Sequence, residues 1–374
     1  MSGWSALALV AGVVRGEART WTGPSDAAAT EFLDAARRHG LHLVAGAALR
    51  EAGALVHWPP EIARGLSDDL RAAALLEEMR RPEIRRVVAA LAGAGLPALL
   101  FKGVPLAYTC YPAPWLRPSV DTDVLVREED RDRAARALEA AGYRRTGLVD
   151  GFLVMRQAEY ERVGPGGVRH LVDLHWRLAN TEPFARMLEF DELDAAAIPV
   201  PPLGARALGP VHHLLVACTH RVAHHVRAPR LVWRYDVHLL ARSMNAAALD
   251  GFVRLARDRA MGAVSAHELA AARDAFGTRP EVPVDELYAR LRPAAPEPSA
   301  AFLSPRGSRA GRLAMEVRWQ PGWRDKIRLI GQHLFPSPTY MRAAYRHSRI
   351  GWLPAQYAHR LIRGIGRWLG REPA

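Results

Sequence analysis

Cysteine is scarce in this sequence, which contains two, Cys110 and Cys218. Two cysteines so far apart do not form the disulfide framework of a small secreted protein, and they do not supply a cysteine-rich zinc site. We therefore predict a reducing, cytoplasmic setting and a core held together by apolar packing. With 49% hydrophobic and 24% charged residues, the chain can build such a core without cross-links.

Long apolar runs are also missing, since none reaches the ~20 residues that a transmembrane helix needs. A shorter run extends from Ala6 to Val14, without a basic stretch before it or a clear stop after it. We predict that this run is a core helix and not a signal peptide.

Acidic residues are scarce at one end of the chain. Residues 306–374 contain fourteen Lys and Arg against three Asp and Glu, within a net charge of +12 for the whole sequence. Tryptophan, tyrosine and phenylalanine are mixed with these cations. The segment could pack on the protein's own helices, lie on an anionic membrane surface or a partner, or hold nucleic acid. No recognition module is present, so we do not expect sequence-specific nucleic-acid binding. A membrane-bound arm would place the protein at the inner membrane face.

Hydrophobic spacing divides the chain into helical blocks around a region with strand patterns. We predict an α+β fold in which a small mixed β-sheet is flanked by N- and C-terminal helical regions. The predicted parts are an N-terminal helical region at 1–94, a strand-containing core at 95–202, a helical domain completing a cleft at 203–280, a Pro-rich linker at 281–310 and a basic aromatic arm at 311–374.

Two acids share one face of a predicted strand in "SVDTDVLV". Asp121 and Asp123 lie two residues apart, so their side chains point the same way. Neighbouring carboxylates repel each other unless a cation lies between them, and Mg²⁺ binds carboxylates together with substrate phosphates. Asp173, on a later predicted strand with His175 on the same face, is the candidate third acid. An isolated Asp-x-Asp is more often a surface feature, but the apolar neighbours make an unpaired acid costly here.

A glycine turn precedes this strand at "FKG". Gly103 lacks a side chain, so backbone N–H groups there could approach phosphate oxygens. Lys102 and Arg117 could neutralise a triphosphate, although a solvated strand end and an ordinary ion pair are the alternatives for these two residues. The segment is not a Walker A loop.

Histidines recur at helical spacing in "VHHLLVACTHRVAHH". We assign three residues to the acceptor side of the cleft: His220 of this segment, His175, and Asp236 of "WRYDVHLL". Packing of a helix face is the alternative, and nothing in the pattern favours zinc.

The array "LLFKGVPLAYTCYP…LRPSVDTDVLV" followed by "VDLHW" resembles the nucleotidyltransferase superfamily with DNA polymerase β-like folds. More narrowly, it resembles a bacterial group of uncharacterised nucleotidyltransferases, in which Lys-Gly replaces the more common Gly-Ser or Gly-Gly. The close match covers residues 99–178, and "LLVACTHRVAHHV" and "LFPSPTYMRAAYR" are similar to the narrower group as well. The resemblance implies that Asp121, Asp123 and Asp173 are catalytic and hold two Mg²⁺ ions.

The same resemblance implies the reaction. It is transfer of a nucleoside monophosphate from an NTP, by default ATP, to a hydroxyl group with loss of pyrophosphate. The acceptor would be a small molecule, a peptide or a protein, and the narrower group suggests a biosynthetic tailoring role. Two other classes stay open: an inactive NTP-binding sensor or scaffold, and a membrane-docked interaction protein that uses the basic arm.

Overall fold

The computed structural model describes residues 4–146, 155–224, 230–277, 284–292, 297–303, 309–320, 322–346, 348 and 350–369. Four helices come first: α1 (Ala6–Val14), α2 (Asp26–Arg38), α3 (His42–Glu51) and α4 (Pro60–Gly93). Helix α1 contributes Val10 and Val13 to the N-terminal core, which confirms the prediction of a core helix. The stretches 151–163 and 168–178 flank "GPGG" and predict a hairpin; its second strand lies within the described residues, whereas 151–154 of the first lie outside them.

The sequence predicts two helices here, one beginning at Pro60 in "WPPEIARGL" and one from Ser67 to about Ala92, but the structure has the single helix α4. The side chain of Ser67 does not cap a new helix, because its hydroxyl donates a hydrogen bond to the carbonyl of Ala63 at 2.7 Å, one turn back. Leu66 and Leu70 are buried on the same helix face. The apolar face therefore continues through the serine, and the helix with it.

A seven-stranded mixed sheet forms the centre of the protein, in the order β3-β4-β5-β2-β1-β7-β6. Strand β2 runs parallel to β5, and β1 parallel to β7, whereas the other neighbours are antiparallel. The sheet confirms the prediction of a mixed α+β fold. Its strands are β1 (Ala98–Leu100), β2 (Asp121–Val126), β3 (Arg144–Arg145), β4 (Gln157–Val163), β5 (Arg169–His175), β6 (Ile198–Val200) and β7 (Ala205–Ala207).

Short helices connect the strands. They are α5 (Gly103–Thr109), α6 (Arg131–Ala140), α7 (Glu182–Ala185) and α8 (Phe190–Ala195). The predicted domain boundary at 202/203 falls between β6 and β7, which pair with each other. Each of these two strands has three residues, which is too short to show an alternating pattern in the sequence.

The helical part that follows covers one face of the sheet. It comprises α9 (Pro210–His224), α10 (Leu231–Ser243), α11 (Ala246–Asp258), α12 (Gly262–Phe276) and α13 (Val284–Leu291). Leu125 of β2 points into this helical layer, while Val124 and Val126 point to the opposite face, where α4 and α6 pack. The alternation of β2 therefore directs its odd-numbered residues, including both acids, towards the helical domain.

The segment predicted as a Pro-rich linker is partly packed. Leu287 and Leu291 of α13 and the nearby Phe302 are buried in the core of the helical domain. The C-terminal arm continues as α14 (Arg309–Trp319), α15 (Trp323–Leu334), α16 (Pro338–Ala344) and α17 (Leu353–Leu369). Among the described helices, none combines the length and apolar content needed to cross a membrane.

Candidate active site

Three acids predicted from distant parts of the sequence meet on the helical side of the sheet. Asp123 of β2 lies directly opposite Asp173 of β5 in the parallel pair, and Asp121 lies opposite Leu171. Residues of adjacent strands at the same register point to the same face. The pairing of β2 with β5 therefore places Asp121, Asp123 and Asp173 on one face.

Asp123 has two positively charged or protonatable neighbours. The ammonium group of Lys102 donates to Asp123 Oδ1 at 2.6 Å, and His175 Nε2 lies 2.9 Å from the same oxygen. Burial by itself would raise the pKa of Asp123, but the charge of Lys102 and the hydrogen bond with His175 hold that pKa well below its usual range. Asp123 is thus an ionised carboxylate at neutral pH.

The pKa of Asp173 is shifted in the opposite direction from that of Asp123. Its Oδ2 accepts a hydrogen bond from the amide of Gln157 at 2.9 Å. Burial, followed by the negative charges of Asp123 and Asp121, raises the pKa of Asp173 to about 7. Burial and Asp123 also raise the pKa of Asp121. Lys102 alone therefore does not neutralise the negative charge of the three acids.

These residues can supply ligands to a metal ion. One ligand atom each from Asp123, Asp173 and His175 lie within 4.8 Å of one another. Two carboxylates in a partly buried place fit the oxygen preference of Mg²⁺, whereas the histidine nitrogen does not. We predict His175 for the acceptor side; the structure places its ring beside Asp123 and edge-on to Phe101, with 4.8 Å between the ring centroids. Burial and Lys102 lower its pKa to about 4, so His175 is neutral.

The backbone of Lys102 is in the left-handed region, with φ of 58°. This conformation is uncommon for a residue with a side chain, and it occurs mostly where the surroundings enforce it. Here the turn between β1 and α5 directs the Lys102 ammonium back to the carboxylate of Asp123. The Lys102 ammonium, which we predict to contact phosphate, thus contacts an acid of the sheet in this structure.

Gly103, next in the chain, makes room for a guanidinium group. A Cβ atom at this position would lie 2.3 Å from Nη1 of Arg117. Arg117 in turn forms a buried ion pair with Asp236, with 2.8 Å between Nη2 and Oδ2. Burial lowers the pKa of Arg117, but the negative charge of Asp236 raises this pKa by more than burial lowers it. The guanidinium therefore stays charged. The hydroxyl of Tyr111 donates to Asp236 Oδ1 at 2.7 Å. The alternative for Arg117 is a surface ion pair; the structure shows an ion pair, but a buried one.

A small cavity lies beside this ion pair and extends to Lys102, which contacts Asp123. It has a volume of about 20 Å³, enough for one water molecule. Lys102, Arg117, Asp236 and His220 line it, and the His220 ring meets Trp233 edge-on at 5.3 Å between centroids. The structure thus brings four of the predicted phosphate-binding and acceptor-side residues to one cavity, namely Lys102, Arg117, His220 and Asp236, and Lys102 also contacts Asp123.

Two residues that hold parts of the site in place were not predicted from the sequence, Gln157 and Arg80. Gln157, the first residue of β4, bonds Asp173, and only the register of the hairpin could have indicated this. Arg80 of α4 donates to the backbone carbonyls of Ser119 and Asp121 at 3.3 and 3.1 Å and so fixes the start of β2. A cavity of about 370 Å³ lies beside Arg80, between α4 and this end of the sheet. No local pattern marks a helix residue that contacts a strand forty positions later.

Comparison with known proteins supports the chemistry suggested by this arrangement. A search among curated proteins found no match. A family model described as uncharacterised nucleotidyltransferase matches residues 25–276, which include α2 to α4, the whole sheet and the helical layer up to α12. The chain therefore belongs to this family of uncharacterised nucleotidyltransferases.

Proposed function

We propose that this protein is a Mg²⁺-dependent nucleotidyltransferase of the DNA polymerase β-like type, which transfers a nucleoside monophosphate from an NTP to an acceptor hydroxyl. ATP is the default donor. The observation that carries the proposal is the excess negative charge of Asp121, Asp123 and Asp173 on one sheet face, where Asp173 has a pKa raised to about 7. Bound Mg²⁺ would relieve that excess and could at the same time hold the phosphates of the substrate.

Each residue has a proposed role. Asp121 and Asp123 would hold the magnesium ions, and Asp173 completes the set. Bound magnesium would neutralise charge on the phosphates and align the attacking and leaving oxygens. Lys102, placed between Asp123 and the cavity, would contact the triphosphate when the ions take over its carboxylate.

The proposed reaction balances in one displacement. The acceptor oxygen forms a bond to the α-phosphorus, the bond from this phosphorus to the bridging oxygen breaks, and pyrophosphate leaves with the electron pair. The acceptor proton passes to Asp173, the acid opposite Asp123 on the neighbouring strand, which acts as the general base. Positioning and charge neutralisation supply most of the rate acceleration.

The test uses the full-length chain with each of the four NTPs, with Mg²⁺ or with chelator. Thermal unfolding reports NTP binding, and pyrophosphate release and the mass of the protein report transfer. We expect a Mg²⁺-dependent stabilisation by at least one NTP and pyrophosphate release, both lost in Asp121→Asn. The control is Asp132→Asn, since Asp132 is an exposed acid of α6 and its loss leaves the site intact.

The outcomes separate the alternatives that we kept open. NTP binding with Mg²⁺ but without pyrophosphate release would indicate a sensor or scaffold and overturn the transferase. This outcome requires that no transfer occurs to water, to the protein or to any added hydroxyl compound. A folded protein that no NTP stabilises would overturn both. Release that persists in Asp121→Asn at the level of Asp132→Asn would show that the acids of β2 are not the site.

A further inference from the structure

Helix α15 turns its apolar side towards solvent. Trp323, Ile327 and Ile330 are spaced four and three residues apart, which places them on one side of the helix. The exposed fractions of Trp323 and Ile327 are 68% and 63%. Leu329, on another side of the helix, is buried against the protein. Amphipathic helices of globular proteins usually bury the apolar side, so α15 presents a surface that requires another occupant.

The exposed apolar surface extends beyond this helix. Among the described residues, thirteen large hydrophobic side chains are exposed, and seven of these lie between 323 and 362. Phe335 follows α15, and its ring lies 6.0 Å from that of Tyr357 in α17. The Tyr357 hydroxyl donates to the carbonyl of Pro336 at 2.5 Å. The end of α15 and the beginning of α17 are therefore neighbours, and Ile362 of α17 is also exposed.

Exposed cations accompany these apolar side chains. Arg324 and Arg328 are exposed on α15, and Arg342 and Arg363 are exposed on α16 and α17. The guanidinium of Arg324 lies 5.4 Å from the centre of the Trp323 ring. The whole segment 306–374 carries fourteen cationic residues against three acidic ones. Its partner must therefore offer negative charge and an apolar interior within a few ångströms of each other.

We propose that α15 and α17 dock this protein on the surface of a bilayer that contains anionic phospholipid. Trp323, Ile327 and Ile330 enter the boundary between headgroups and acyl chains, and the neighbouring arginines contact lipid phosphates. A second copy of the chain fits less well, because it brings the same positive charge. Nucleic acid matches the charge but offers no counterpart to exposed isoleucines. The proposal is independent of nucleotidyl transfer.

The test is flotation of the full-length protein with vesicles of phosphatidylcholine alone or mixed with phosphatidylglycerol. We expect binding to the mixed vesicles, weakened by salt because exposed charges are screened beyond ~10 Å at 0.1 M. Trp323→Ser with Ile327→Ser weakens partitioning by ~10-fold or more. Arg324→Gln with Arg328→Gln weakens it by ~10-fold and reduces the dependence on phosphatidylglycerol.

A matched control keeps the result specific to this surface. Val56 and Leu75 are exposed apolar residues of the N-terminal region, so Val56→Ser with Leu75→Ser removes similar surface elsewhere and should float like the parent. All these positions are exposed, so unchanged thermal unfolding is expected to confirm intact folds. Failure to float with anionic vesicles at low salt would overturn the proposal. So would an equal loss in the control variant, self-association that Trp323→Ser abolishes in the absence of lipid, or displacement from vesicles by DNA at equal charge.

Discussion

Removal of the carboxylate of Asp236 should destabilise the protein strongly. This group accepts hydrogen bonds from Arg117 Nη2 at 2.8 Å and from the Tyr111 hydroxyl at 2.7 Å, all in the interior. Arginine does not lose its proton in proteins, so Asp236→Ala leaves a buried, unpaired charge. The expected loss in free energy of unfolding is ~3–5 kcal/mol. Urea unfolding followed by circular dichroism measures this loss.

A second ion pair provides the comparison. Arg127 and Asp191 are 2.6 Å apart, but the Asp191 side chain is 79% exposed. Asp191→Ala should therefore cost at most ~1 kcal/mol. The double variant Arg117→Met with Asp236→Leu should recover part of the loss, since no charge is then stranded. The reasoning fails if Asp236→Ala costs no more than Asp191→Ala, or if the double variant is as unstable as the sum of its parts.

Three further outcomes follow from the site. Gly103→Ala should lower the midpoint of unfolding, because its Cβ would lie 2.3 Å from Arg117 Nη1. Gly93→Ala has nothing within 4 Å of its Cβ and should add up to ~1 kcal/mol to the free energy of unfolding. Equal midpoints for the two variants would contradict the close contact at Gly103. The pKa of Asp173 is raised to about 7, so the stability that this group contributes is present in acid and lost as the pH rises through 7. Asp173→Asn should therefore raise the thermal midpoint at pH 8 and change it little at pH 4, and a shift of the same size at both pH values would argue against it. Lys102→Met should lower the thermal midpoint in chelator and enlarge the stabilisation by Mg²⁺, since the ammonium no longer competes for the carboxylate; a smaller magnesium effect than in the parent would refute this competition.

The acids of the site were accessible from the sequence because strand alternation is a local property. Apolar residues alternate with Asp121 and Asp123 in β2 and with Asp173 in β5, so the face of each side chain follows from counting. The turn at Gly103 and the hairpin around residues 164–167 likewise carry local signals, and the pairing of β4 with β5 confirms the hairpin. These features depend on neighbours within a few residues.

Contacts between distant segments were not accessible. Asp236, the partner of Arg117, is 119 positions away on α10; its sequence context predicts a place on the acceptor side, but no local pattern indicates its contact with Arg117. His175 was assigned to the acceptor side because alternation gives its face but not its distance from Asp123. The packed α13 was assigned to a linker, since proline on both sides obscures one short helical pattern.

The parallel pairing of β2 with β5 has a consequence for how the protein acquires its site. Antiparallel neighbouring strands can be joined by a tight turn, but parallel neighbouring strands need a longer crossover connection between them. Here residues 127–168, with α6 and the first arm of the hairpin, must be in place before Asp173 reaches its position opposite Asp123. A fragment that stops short of β5 would therefore keep Asp121 and Asp123 but lack Asp173 and the strand that holds it beside them.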